Sequence, residues 1–98
     1  MRTTPFAVYI LTTRRNTVLY TGITNDLARR LAEHRAGLGG RFTRRYSVVR
    51  LVYVEYYEDA RTAIAREKQI KAWRREKKLA LVHATNPTWR DLDPSRYG

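Results

Sequence analysis

Read for apolar and polar positions, the chain opens with two β-prone runs. Residues 6–12 (FAVYILT) and 17–23 (TVLYTGI) are nearly continuous in apolar and β-branched side chains, and four polar residues, Thr13-Arg14-Arg15-Asn16, separate them. Two such runs joined so briefly predict a β-hairpin. A turn centred on the polar residues sets Tyr9 directly opposite Tyr20, within ~5.5 Å across the ladder. A slip of one residue would send one tyrosine to the other face. Gly22, inside a strand pattern, predicts a bend or a close approach of backbone.

The period then changes. Thr24, Asn25 or Asp26 can cap a helix reaching about Ala36, and Gly37, Gly39 and Gly40 end it. A basic loop follows, Arg41-Phe42-Thr43-Arg44-Arg45-Tyr46, and then a third strand over 48–57 (VVRLVYVEYY). Asp59 caps a longer helix to about Trp73, and a polar break over 74–77 precedes a last helix, roughly 78–84. In the irregular tail, residues 85–98, Trp89 is expected to pin the segment to the body, because a free tail rarely exposes tryptophan. The predicted architecture is one α+β domain over 1–98 with a core at about 5–84. A small three-stranded antiparallel sheet is flanked by helices in the order ββαβαα.

Three polar residues sit where this pattern wants apolar ones. At ~100° per residue, Leu27, Leu31 and Leu38 define the buried stripe of the first helix. His34 falls beside Leu27 and Leu31, Arg30 one step further round, and Arg29 and Glu33 outside. Arg30 and His34 are thus an i, i+4 pair at the edge of the core. They read either as a snorkelling arginine with a satisfied histidine or as functional groups. In the next long helix Ala60, Ala63, Ile64 and Ile70 form the apolar face, with Glu67 in its middle and Lys68 and Lys71 flanking it. A carboxylate there must be ion-paired, protonated or bound to a cation, so a structural pair with an arginine and a functional role both stand.

Charge narrows the partner. The 98 residues carry 20 Lys and Arg against 9 acids, a net charge of +11 and a pI near 10.7. An ordered domain this basic points to a polyanion, and a hydrophobic content of 43% argues against a disordered basic tail. Arg29, Arg41, Arg44, Arg45, Lys68, Lys71 and Arg74 are the expected phosphate contacts, each otherwise a solvated surface charge. There is no cysteine, hence no disulfide framework or thiolate zinc site, and two histidines cannot build a His-rich cage. No apolar run approaches the ~20 residues of a membrane span and no signal-peptide pattern opens the chain, so a cytoplasmic location is expected.

Ala7-Val8-Tyr9 followed by Tyr20-Thr21-Gly22 resembles the paired signature of the GIY-YIG nucleases. The likeness extends over almost the whole chain, to about Ala84, and is nearest to the small stand-alone bacterial members. The first motif has Ala7 and Val8 where the family name has glycine and isoleucine, and Thr21 stands inside the second, so the tyrosines carry the match. The resemblance implies catalytic roles for Tyr9, Tyr20, Arg30 and His34 and a metal-binding role for Glu67; Asn86 is the sole downstream candidate for an asparagine that some members use.

That family's activity is metal-dependent cutting of phosphodiester bonds. The cofactor implied is Mg²⁺, with Mn²⁺ as a substitute, held by one carboxylate, water and phosphate oxygens. The expected substrate is DNA ahead of RNA, selected by structure rather than sequence, in repair or processing. A separate targeting protein is compatible with the sequence. Two other readings are a catalytically inactive nucleic-acid-binding adaptor of the same fold and a ribosome-associated basic protein. The second would be expected to carry long basic extensions, and none is present.

Overall fold

Strand β1 (Phe6–Thr12) is apolar on both faces because it is the middle strand of a sheet covered on both sides. The computed structural model describes residues 5–93, with the side chains of residues 42–44 outside the description. β2 (Leu19–Thr24) and β3 (Arg50–Tyr57) both run antiparallel to β1, giving the order β2-β1-β3. Val8 and Ile10 enter a cluster with Val52, Tyr53, Ala63, Ile70 and Val82. Tyr9 and Leu11 point the other way, into a cluster with Leu31, Val48 and Leu51. The α+β architecture and the three-stranded antiparallel sheet are those expected.

The hairpin register differs from expectation by two residues. Tyr9 pairs with Gly22, and Tyr20 with Leu11. The connection takes in Thr17 and Val18 as well as residues 13–16, because side chains hold it open. Thr12 Oγ1 donates to the Val18 carbonyl at 2.8 Å, and the Thr17 amide donates to Thr13 Oγ1 at 3.0 Å. A shift of two keeps both tyrosines on one face, as diagonal rather than direct neighbours. Along β3 the pairing jumps from Ile10↔Tyr53 to Leu11↔Leu51. Val52 is the unpaired residue of this bulge, which lets Val52 and Tyr53 enter the same cluster.

Asp26 caps α1 (Leu27–Arg35), accepting from the Arg29 amide at 3.2 Å. Gly37, at φ 79°, ends it: the Gly37 amide donates to the His34 carbonyl at 3.1 Å and Leu38 to Glu33 at 2.8 Å, a Schellman pair. Leu38 therefore leaves the helix before its period would bury it and is 73% exposed, so it is not part of the stripe. The basic loop contains a short helix, α2 (Arg41–Tyr46), absent from the predicted order because so brief a segment shows no apolar period.

Asp59 caps α3 (Ala60–Ala72) through the Thr62 amide at 2.8 Å. Ala63, Glu67 and Ile70 are its buried residues, and Ile64, expected on that face, is 42% exposed. The polar break is shorter than expected: extended backbone at Trp73 and Arg74 suffices, and α4 (Arg75–Thr85) starts at once. Trp89 packs against the α3 side of the sheet as predicted.

What the pattern did not announce is how firmly the tail is tied. Arg35 donates to Asp91 Oδ2 at 3.3 Å and also pairs with Asp93, and both acids are buried. The Leu51 amide donates to Asp91 Oδ1 at 3.2 Å, and the Leu92 amide to the Leu51 carbonyl at 2.7 Å. The tail thus covers the start of the free β3 edge and blunts it against further strand pairing.

A Cβ at Gly22 would lie 2.5 Å from Tyr9 Cζ and from its Oη, a distance that ring atoms in a packed sheet cannot accept. Gly22→Ala should lower stability in urea denaturation by about 1–3 kcal/mol. In the Tyr9→Leu background the same substitution should lose much of its effect, a coupling read directly from the double-mutant cycle.

Candidate active site

The site is built outward from the Tyr9 ring, which leaves the middle strand and crosses the backbone of β2 at Gly22. Tyr20, diagonal to it on β2, has its ring centroid 6.5 Å away at 44°. His34 comes from the buried side of α1 and closes the group. Its ring is 5.4 Å from Tyr20 and 6.0 Å from Tyr9, edge-on to both, and its Nε2 is 3.1 Å from Tyr9 Oη. Three of the expected residues therefore meet in one aromatic cluster.

Arg30 stands one turn before His34. Its Nη1 donates to Glu33 Oε1 at 3.1 Å and its Nη2 to the Gly39 carbonyl at 3.0 Å. Glu33 and the glycine turn fix the guanidinium, a positioning role that the sequence reading missed when it set Glu33 outside. The signal was there in the i, i+3 spacing. Arg30 borders an open groove of about 450 Å³ that runs between α1 and α3, lined also by Ile23, Asn25, Arg29 and Ile64. The exposure of Ile64 is thereby placed: it faces this groove.

Electrostatics set the protonation. Burial pushes the Tyr9 phenol up to about 12, against the pull of the Arg30 guanidinium, with Tyr20 and Glu67 adding to the rise. Tyr9 is thus a neutral phenol near pH 7. Burial, then the Arg30 charge, lowers His34 to about 4, so its ring is neutral as well. Arg30 is held above its ordinary value: burial opposes its charge, but Glu33 and Tyr9 outweigh that. The site at neutral pH is a fixed cation beside two neutral groups that share one hydrogen bond.

Glu67 is near enough for its charge to reach Tyr9, and it is the buried polar residue of the α3 face. Its partner is Lys71, Nζ to Oε2 2.7 Å, one turn on in the same helix, rather than an arginine. Lys71 is half exposed, at 52% against 11% for the Glu67 side chain, and so can withdraw from the pair. Among the described residues no group of three or more His, Asp or Glu side chains is placed to hold a metal. Glu67 alone fits Mg²⁺, which commonly takes one or two carboxylates with water and substrate phosphate, provided Lys71 moves aside.

Of the other expected residues, Lys71 and Arg29 reach the site and Asn86 does not. Asn86 ends α4, donating to the carbonyls of Val52 at 3.1 Å and Arg90 at 2.9 Å and accepting from the Arg90 amide at 3.2 Å. Its side chain ties the tail to β3, and none of these bonds goes to the tyrosine cluster. Arg29 lines the groove, and Arg41, Arg45, Lys68, Lys71 and Arg74 are exposed on α2, on α3 and just after it. The side chain of Arg44 lies outside the described residues.

A small three-stranded sheet that gathers two tyrosines, an arginine and a histidine beside a helix carboxylate defines the class. The family model for the GIY-YIG catalytic domain matches residues 5–80, and the chain belongs to this nuclease family. It is 46% identical over 64 residues to a UPF0213 protein of Haloquadratum walsbyi, covering 65% of this chain and 72% of that one. Against a UPF0213 protein of Clostridium perfringens it is 44% identical over 75 residues, 76% and 80% of the two chains. The fold is similar to the solution NMR structure of the UPF0213 protein of Bacillus halodurans, with a TM-score of 0.58 and 31% identity over 89% of this chain and 92% of that one.

The lowered pKa of His34 makes a stability prediction. Between its folded value of about 4 and the ordinary value near 6.5, the unfolded chain binds more protons than the folded one. The stabilisation is complete above the ordinary value and is lost as pH falls toward the folded one. In urea denaturation at pH 4.5 and pH 7, the wild type should lose more stability on acidification than His34→Gln does.

Proposed function

We propose that this chain is a metal-dependent endonuclease that hydrolyses phosphodiester bonds. The observation that carries this reading is the meeting of Tyr9, Tyr20 and His34 in one cluster, with the fixed Arg30 guanidinium beside it at the mouth of a groove. Arg30 would hold a non-bridging phosphate oxygen and stabilise charge that builds in the transition state. Glu67 would hold Mg²⁺, or Mn²⁺ in its place, after Lys71 withdraws. The bound ion would supply charge stabilisation on the phosphate oxygens.

Because burial holds Tyr9 protonated, it does not begin as a free phenolate base. It would work as a relay. The attacking water gives its proton to Tyr9 Oη as the phenol proton passes to His34 Nε2. The water oxygen bonds to phosphorus, the bond to the leaving oxygen breaks and that oxygen takes a proton from solvent, while His34, whose low pKa disfavours the imidazolium, releases the relayed proton to solvent. Tyr20 would orient the water from the second side of the cluster.

The substrate proposed is DNA ahead of RNA, chosen by shape and serving repair or processing. Support comes from the exposed arginines and lysines, which suit backbone phosphates and carry little sequence information. A cytoplasmic location goes with this reading; no helix among the described residues is long and apolar enough to cross a membrane. The Glu67–Lys71 pair favours a second reading, an inactive nucleic-acid-binding adaptor, because it gives the carboxylate a structural use without metal.

One experiment separates them. Labelled single-stranded, nicked, flapped and duplex DNA is incubated with the protein and with Glu67→Gln, in Mg²⁺ and in EDTA. Cutting should need metal and vanish in the variant, a loss of at least about 100-fold, with DNA affinity within about twofold of wild type. Undiminished cutting by Glu67→Gln removes the metal assignment. Binding without cutting under every condition selects the adaptor.

A further inference from the structure

The hairpin connection, residues 13–18, is tied down by hydrogen bonds from within and from outside. Thr13 and Thr17 join their hydroxyls at 2.8 Å, and the Asn16 amide donates to the Thr13 carbonyl at 3.0 Å. From outside, Arg50 Nη1 donates to the Arg14 carbonyl at 3.3 Å and to Asn16 Oδ1 at 3.1 Å, and Arg75 reaches the Asn16 carbonyl at 3.4 Å. This pinned backbone carries the exposed side chains of Arg14 and Arg15. Among the described residues neither has an acidic partner. Asp26 and Asp59 cap helices, Glu33, Glu55, Glu67, Asp91 and Asp93 pair with other cations, and no ion pair among the described residues joins Glu58 or Glu76 to either arginine.

Between this loop and the end of α2 lies a cleft of about 460 Å³, bordered by Arg14, Arg15, Tyr46, Ser47 and Val49. Tyr46 is 41% exposed, and the Arg45 guanidinium lies over its ring, 5.6 Å from the centroid. A half-exposed aromatic ring beside two cations without acidic partners is the chemistry of a base-stacking platform with phosphate contacts.

Given that the substrate is nucleic acid, as the proposed function has it, we propose that this cleft binds a single-stranded segment of it. One base stacks on Tyr46, and Arg14 and Arg15 hold the adjoining phosphates. A duplex is the poorer occupant, because its bases already stack on one another and offer no free face. The cleft is separate from the tyrosine cluster and shares no residue with it. It would hold a strand in place and take no part in the chemistry.

The test is fluorescence anisotropy with a labelled oligothymidylate and a blunt duplex of equal length, in EDTA, so that no cutting intervenes. Tyr46→Ala should weaken single-strand binding about tenfold. Tyr46→Leu, which keeps apolar bulk without a stacking face, should do nearly the same while melting like the wild type. Arg14→Gln with Arg15→Gln should lower the slope of log affinity against log salt by about 1.4, two contacts' worth for a single strand. Single-strand affinity and slope unchanged in these variants overturn the proposal. Equal losses on strand and duplex overturn the single-strand assignment. If the wild type cuts nothing yet these losses occur, the nuclease reading fails and this one stands.

Discussion

The Tyr9 ring can cross the edge strand only because Gly22 presents no side chain, and the candidate site is built on that crossing. The ring starts from the middle strand, whose backbone is held on both sides by ladders and covered on both faces by helices. Its root is therefore among the most constrained positions in the molecule. The phenol lies over Gly22, still buried, with its orientation already set, and His34 and Tyr20 meet it there. The same burial that fixes the ring keeps its proton on, so rigidity and protonation state have one cause. A more exposed tyrosine would titrate more readily but would be less well aimed.

Arg30 is held in a different way. It is kept in place by an acid one turn on and by a carbonyl from the glycine turn that ends its own helix. The Schellman ending of α1 thus both stops the helix and supplies the oxygen that steadies the guanidinium. Glu67 stands apart from both patterns, since its counter-ion is a lysine with half its surface in water. Its partner can leave for water more readily than the groups that hold Arg30 in place, which suits the proposed exchange of Lys71 for a metal ion.

Much of this was legible in the sequence because the relevant signals are local and periodic. Tyr9 and Tyr20 lie in runs whose β character is plain, and Arg30, His34 and Glu67 are polar intrusions on apolar faces. The hairpin register was not legible, because Thr13 and Thr17 widen the connection through side-chain bonds that a polarity pattern does not contain. The error was harmless for the site only because it was even. Leu38 and Ile64 were misplaced for separate reasons. Helical periodicity was carried past the glycine that ends α1, and one face of α3 borders a groove rather than the core. Asn86 drew a catalytic reading from its position after the glutamate, whereas its three backbone hydrogen bonds give it a structural one.

The least legible feature was the tail, and it shows how a small basic domain holds itself together. Of its nine acids, seven cap helices or pair with cations of the fold. Asp91 and Asp93 reach back across the sequence to Arg35 and to the β3 backbone, contacts whose separation no local pattern reveals. With the acids so committed, the remaining positive charge is left on the surface without compensation from within the chain. The basic surface and the buried ion pairs thus follow from one allocation: negative charge is kept where it orders the fold, and positive charge is left where a polyanion can meet it.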